Sequence, residues 1–204
     1  MQVVHSALFP IEVTETREKL RAELSYNIPT IVTAGRLVPW KGFSVLIDVV
    51  AQLVPRYPHI TLIIVGDGAE RKALERKVSE LNLAQHVWFT GSITKDALGA
   101  AIKAADVFVL NTAYEGLSHQ LIEVMDIGTP IVTTKVGGNP ELITDGVDGF
   151  LVEYNDAPAL QEAIIRVLDH PESRERIVQS ARARSKQFAR EVVIEDLVSV
   201  LKSI

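Results

Sequence analysis

"ADVFVLNTAYEGLSHQLIEVMDIGTPIVTT", residues 105–134, contains one whole strand-helix-strand step. Its first part, residues 106–111, is nearly continuously apolar, as a parallel strand covered on both faces would be. Ser118 is a residue type that caps a helix and Gly128 one that ends it, and Pro130 carries the next turn into the β-branched run at 130–134. Between cap and stop, Leu121, Val124 and Met125 fall on the side that faces a sheet. Glu123 stands inside that apolar run and Glu115 lies eight positions before it, and neither acid suits a core.

The same alternation extends in both directions. Short apolar runs occur at 30–35, 60–66, 86–91, 106–111, 130–134 and 149–152, several ending in glycine or a polar residue where the chain must turn. The segments between them repeat apolar residues every three or four positions, the pattern of helices with one buried stripe. Alternating strands and helices predict an α/β, Rossmann-like, doubly wound parallel sheet of about six strands. Residues 156–204 hold no convincing strand, and breaks at His170-Pro171 and 188–191 divide them into a tail of about three helices packed on the sheet. Residues 1–29 read as an extended piece and a helix near Thr16 to Leu24, a linker or lead-in to a domain spanning 30–204.

With 204 residues and 47% hydrophobic content, the chain can bury one full core and does not require a second domain. A formal charge of −5 excludes a broad nucleic-acid surface, so any anion must be captured locally. The absence of cysteine excludes disulfides and thiolate catalysis. No apolar run approaches the roughly 20 residues that span a bilayer, and the first residues lack a basic start and a long apolar centre. These features predict a soluble, cytoplasmic protein.

An open parallel sheet binds ligands beyond the carboxyl ends of its strands, so the residues just after each apolar run are the candidates. "GRLVPWKG" (35–42) puts Arg36 in the first loop and Lys41 at or near the first turn of the next helix, where the macrodipole disfavours a cation. The two cations suit a diphosphate held beside a helix start, or else are solvated surface charges. "GDGAER" (66–71) fails as a dinucleotide fingerprint, because Arg71 takes the place of its third glycine; Gly66 and Gly68 then read as a tight turn. Gly91 allows a close approach to a ligand or a simple turn.

Glu115 and Glu123 both reach the crevice, and a carboxylate there can accept hydrogen bonds from a ribose diol. Asp126 reads as solvated. A metal face formed by His119, Glu123 and Asp126 lacks supporting ligands elsewhere, so no metal is expected. In "VGGNPELITDGVDGFLV" (136–152), Asn139 is a cap, Pro140 takes the first helical position, and Gly137 and Gly138 leave N–H groups uncovered. That is a second helix start for an anion, or a glycine-rich connector.

In order along the chain, "GRLVPWKG", "VGDGAER", "VWFTG", the 105–134 stretch and "VGGNPELITDGVDGFLV" resemble the C-terminal half of the retaining glycosyltransferases of the GT-B fold, family 4 type. The resemblance runs from about Thr30 to about Val152, and its most specific part is Glu115 and Glu123 with seven residues between them. It implies that Arg36, Lys41 and Glu115 are catalytic, the two cations on the donor diphosphate and Glu115 near the reacting carbon of the sugar. It further implies that Glu123 holds the ribose hydroxyls, that amides of Ser118, His119, Gln120, Gly137 and Gly138 cradle phosphate and sugar, and that Gly66 and Gly91 line the base pocket. Leu117 and Ser118 replace a common Phe-Gly, and Val124 and Asp126 replace small alanines of the helix.

The donor implied is a UDP-, GDP- or ADP-sugar, with no cofactor and, in a chain without a D-x-D pair, no metal. A complete enzyme of this type has two Rossmann-like domains, so the resemblance implies a missing N-terminal acceptor-binding domain, in cis or in trans, through which the protein could associate peripherally with a membrane. The isolated domain is then expected to be inactive as a hexosyltransferase. Two other readings stay open, a regulatory module of the same fold and a sugar-nucleotide epimerase.

Overall fold

The structure, a computed structural model, describes residues 11–26 and 29–202. Residues 1–10 and 27–28 of the expected lead-in lie outside the described residues. Six parallel strands form one sheet: β1 (Thr30–Ala34), β2 (Thr61–Val65), β3 (Val87–Gly91), β4 (Val107–Leu110), β5 (Ile131–Thr134) and β6 (Phe150–Val152). Each lies within a residue or two of its expected run. Their order is β3-β2-β1-β4-β5-β6, with Ile31 opposite Val107 and Val32 opposite Phe108 where the direction of winding reverses. At that reversal the loops after β1 and β4 diverge to opposite faces, which opens a crevice at their carboxyl ends.

Every residue of β1, β2, β4 and β5 is buried, as their unbroken apolar character requires. The edge strand β3 differs: Val87 and Phe89 pack on the core under α2 and α3, while Trp88 and Thr90, which alternate to the opposite face, are exposed.

The helices are α1 (Arg17–Leu24), α2 (Phe43–Leu53), α3 (Arg71–Glu80), α4 (Lys95–Ala104), α5 (His119–Ile127), the short α6 (Asn139–Leu142), α7 (Ala157–Asp169), α8 (Pro171–Ser185) and α9 (Arg190–Lys202). Leu46, Ile47 and Leu53 of α2, Leu74 of α3 and Ile164 of α7 close one face of the sheet over Ile31, Leu62 and Val109. Ile102 of α4 and Leu121, Val124 and Met125 of α5 close the other over Val32, Ile63 and Phe108. Each such side chain contributes roughly 1.5–3 kcal/mol through burial. Helix α1 docks on α4 through buried Leu20, and Arg17 and Arg21 both bind the buried Asp106 carboxylate at the amino end of β4.

The tail divides. α7 packs on α2 and α8 on α5, so the chain crosses from one face to the other at His170-Pro171. The third helix does not pack on the sheet as expected. Phe188, in a 3-10 turn at Lys186–Phe188, fills the last place on that core, and α9 stands on the turn with Ile194, Leu197, Val198 and Leu201 exposed.

Candidate functional site

Hydrogen bonds stitch together the loops that follow β1, β4, β5 and β6. Asn111, buried just past β4, donates from Nδ2 to Gly42 O (3.1 Å) and to Asn155 Oδ1 (3.0 Å), and its Oδ1 accepts from Asn155 N–H (3.1 Å). Ala113 N–H donates to Trp40 O (2.8 Å), Thr134 Oγ1 to Thr112 O (2.7 Å), and Gly138 N–H to Gly116 O (3.1 Å). The Tyr154 hydroxyl adds a bond to Pro39 O (3.1 Å). The loops are thereby held at fixed distances around the switch point.

Lys41 and Glu115 meet across this frame. Lys41 Nζ lies 2.6 Å from Glu115 Oε2, with the two side chains 18% and 22% exposed. Lys41 does not belong to the first turn of α2; it ends a single 3-10 turn, Pro39–Lys41, and Gly42 follows as the N-cap of α2. The fixed φ of Pro39 starts that turn and halts the chain before the helix. Lys41 then runs back over the end of β1, where its Cδ would be 4.0 Å from a Cβ built on Gly35.

The Glu115 backbone is fixed by Gly137. Gly137 has φ +51°, and a Cβ there would sit 1.6 Å from Glu115 O, so only glycine lets the loop after β5 pass beneath the acid. Two expectations about that loop fail. Gly138 N–H is not uncovered, since Gly116 O accepts it. Asn139 does not cap α6: Gly138 takes the cap position, and Asn139, fully buried, turns inward to donate to Thr133 Oγ1 (3.1 Å) and Thr134 O (3.0 Å). A buried amide that can bind the strand end gains more there than at the first turn of a four-residue helix.

Ser118 caps α5, its Oγ accepting from Leu121 N–H at 3.4 Å, and Gly128 ends the helix in the left-handed conformation. His119 is exposed and Gln120 half-buried at the same helix start. Glu123 is 16% exposed and its Oε1 lies 2.8 Å from Lys95 Nζ, on the first residue of α4. It is therefore engaged by an adjoining helix and, among the described residues, makes no hydrogen bond or ion pair with Lys41 or Glu115. Asp126 is exposed and accepts from Ser185 Oγ (3.3 Å).

Arg36 projects into solvent; its guanidinium makes no hydrogen bond or ion pair among the described residues. The neighbouring Leu37 is fully buried and its backbone binds Asp67 O and Glu70 N–H, which ties the Arg36 loop to the turn after β2. Gly66 N–H donates to Gly91 O (2.9 Å), so these two glycines sit together at the carboxyl ends of β2 and β3. Arg71 of α3 lies beside Gly91, with its guanidinium carbon 5.1 Å from the centre of the Phe89 ring. Among the described residues no group of three His, Asp, Glu or Cys could hold a metal, and no helix is long and apolar enough to cross a membrane.

Sequence reasoning missed Lys95 and the Asn111–Asn155 tie. Lys95 carries a usable signal, a cation at the positive end of a helix, the same feature that singled out Lys41. Asn111 carries none, because a polar residue ending an apolar run is ordinary.

The chain is 29% identical over 187 residues to the lipopolysaccharide core biosynthesis glycosyltransferase LpsE of Rhizobium meliloti, covering 91% of this chain and 53% of that one. It is 30% identical over 202 residues to a GDP-mannose-dependent monoacylated alpha-(1-6)-phosphatidylinositol monomannoside mannosyltransferase of Corynebacterium glutamicum, covering 95% and 52%. Anabaena Alr3699/HepE, solved in complex with UDP, superposes with a TM-score of 0.86 at 29% identity over 97% of this chain and 56% of that one. The chain thus spans about half the length of the curated relatives it matches. It has the fold of the C-terminal domain of a GT-B glycosyltransferase. A family model described as "Glycosyl transferases group 1" matches residues 14–184, a span that contains every crevice residue described above, and the chain belongs to that family.

Proposed function

We propose that the chain is the donor-binding half of a retaining glycosyltransferase that moves a sugar from a nucleoside-diphosphate sugar to an acceptor. The observation that carries this reading is the Lys41–Glu115 pair at the β1/β4 switch point, a cation and an acid on rigidly stitched loops where an open α/β sheet takes its ligand. Breaking the bond between sugar and diphosphate puts negative charge on the departing phosphate. Lys41, with Arg36 free to swing in from the adjoining loop, supplies positive charge aimed at that site before the bond breaks. Glu115, released from Lys41, takes hydroxyls of the donor sugar, and Glu123 takes the ribose hydroxyls. The amides of Ser118, His119, Gln120 and Gly137 complete the cradle around α5, with that of Gly138 already bound to Gly116 O, and Gly66 and Gly91 line the base.

Residues 1–29 serve as the lead-in and 30–204 as the donor domain. The acceptor is held by an N-terminal domain outside this chain, so residues 1–204 alone bind donor without transferring it, in a cytoplasmic setting. Support comes from relatives about twice the length of this chain, one of them named for GDP-mannose, and from a structural neighbour solved with UDP-glucose. Calorimetric titration with UDP-, GDP- and ADP-sugars tests donor binding: one nucleotide series should bind, and Lys41→Ala should weaken it. Supplying the N-terminal half should then yield a glycoside with the anomeric configuration of the donor. A product of inverted configuration, or free epimerised sugar, would overturn the assignment.

A further inference from the structure

At the amino end of β6, on the far side of the sheet from the crevice, a hollow of about 610 Å³ lies between the 146–150 segment, the end of α7 and the first turns of α8. That size is within the range of small-molecule sites, roughly 300–1,000 Å³. Its apolar surface comes from Val147, Phe150 and Ile177. Its ionisable lining groups are Arg166, His170 and Arg176, and no carboxylate lines it, in a chain whose formal charge is −5.

The acids nearest in sequence lie outside the lining: Glu172 and Glu175 are exposed, and Asp145 accepts from the Leu151 N–H. Asp169 binds Arg56 and Tyr57, and Asp148 binds Arg184 and the Thr144 N–H. Glu162 pairs with Arg166 in solvent, both side chains being more than half exposed, a contact that water screens and a stronger anion can displace. Among the described residues Arg176 bonds only to the Ser173 hydroxyl, at 3.1 Å. One guanidinium fork from α7, one from α8 and the imidazole at the junction of the two helices thus surround an apolar floor with no carboxylate among its lining residues.

We propose that this hollow binds a small phosphomonoester with an apolar body, the phosphate held by Arg166, Arg176 and His170 and the body resting on Val147, Phe150 and Ile177. A phosphate offers three oxygens to donors arranged on two helices, whereas a carboxylate satisfies one fork. The site is separate from the donor crevice and does not depend on the reading of that crevice.

Phenyl phosphate is the probe, titrated into the full 1–204 chain beside inorganic phosphate and phenol, with binding followed by methyl resonances of Val147 and Ile177. Phenyl phosphate should bind at least roughly tenfold more tightly than either fragment, with shifts at those two methyls. The double variant R166Q/R176Q should weaken it by roughly tenfold or more, the scale of losing charge-assisted hydrogen bonds. The melting temperature and binding of UDP should stay unchanged in that variant, which separates loss of the site from loss of fold. Equal affinity for phenyl phosphate and inorganic phosphate, shifts confined to other residues, or undiminished binding by R166Q/R176Q would each overturn the proposal.

Discussion

Lys95 Nζ lies 2.8 Å from Glu123 Oε1, joining the first residue of α4 to the second turn of α5. A lysine at the positive end of a helix is unfavourable by itself, and the carboxylate of the next helix offsets that. A ribose diol entering the crevice would compete with Lys95 for Glu123. Glu123→Gln should therefore weaken UDP binding roughly tenfold, the scale of a hydrogen bond to a charged group. The same change should leave binding of the 2′,3′-dideoxy analogue nearly unaltered. Calorimetry on both nucleotides checks this, and equal losses would restrict Glu123 to tying α4 to α5.

The Lys41–Glu115 pair gives a second, separable prediction. Removing Lys41 leaves Glu115 without a partner at 22% exposure, so Lys41→Ala should cost about 1–2 kcal/mol in a urea titration, less than the 3–5 of a fully buried pair. Lys41→Ala combined with Glu115→Ala should recover part of that loss. In an enzyme completed with its N-terminal half, Lys41→Ala should lower turnover by about a hundredfold or more, the effect of losing one donor aimed at developing charge.

What the sequence disclosed follows from which forces are local. β1, β2, β4 and β5 are buried on both faces, so their own composition reports their environment, and their positions were legible to within a residue or two. The Ser118 cap and the Gly128 stop were legible because each depends on a single helix turn. The Asn111–Asn155 tie spans 44 positions and joins loops that meet only once the sheet is wound, and no short window of sequence contains that information. Asn139 misled for the same reason: its type favours a cap, but the buried hydroxyl of Thr133 and the carbonyl of Thr134 compete for its amide. The positions of Glu115 in the loop after β4 and of Glu123 in the second turn of α5 were legible, whereas their separate lysine partners were not.

Gly137→Ala tests how tightly the loop after β5 holds Glu115. The new methyl would meet Glu115 O at 1.6 Å in a left-handed backbone conformation, so the variant should lose about 2 kcal/mol or more and bind donor less well as Glu115 shifts. Gly146 is the control. It also has positive φ, +72°, but a Cβ there meets nothing within 4 Å, so Gly146→Ala should cost only about 1 kcal/mol and leave UDP binding intact. Denaturant midpoints and UDP titrations of the two variants separate backbone strain from the steric clash.

Tyr26, just past α1, packs against the core under α4 and α5, and burial pushes its hydroxyl up to about 12. An unfolded tyrosine ionises near pH 10. Between those values the unfolded chain releases a proton that the folded chain retains, so ionisation favours unfolding. The stabilisation is complete below about pH 10 and is lost as pH rises through that window toward about 12, a change of under about 3 kcal/mol for a shift of this size. Urea midpoints measured across the window should fall for the native chain, and in Tyr26→Phe this part of the decline should vanish. An identical decline in the variant would mean that other groups carry the alkaline sensitivity.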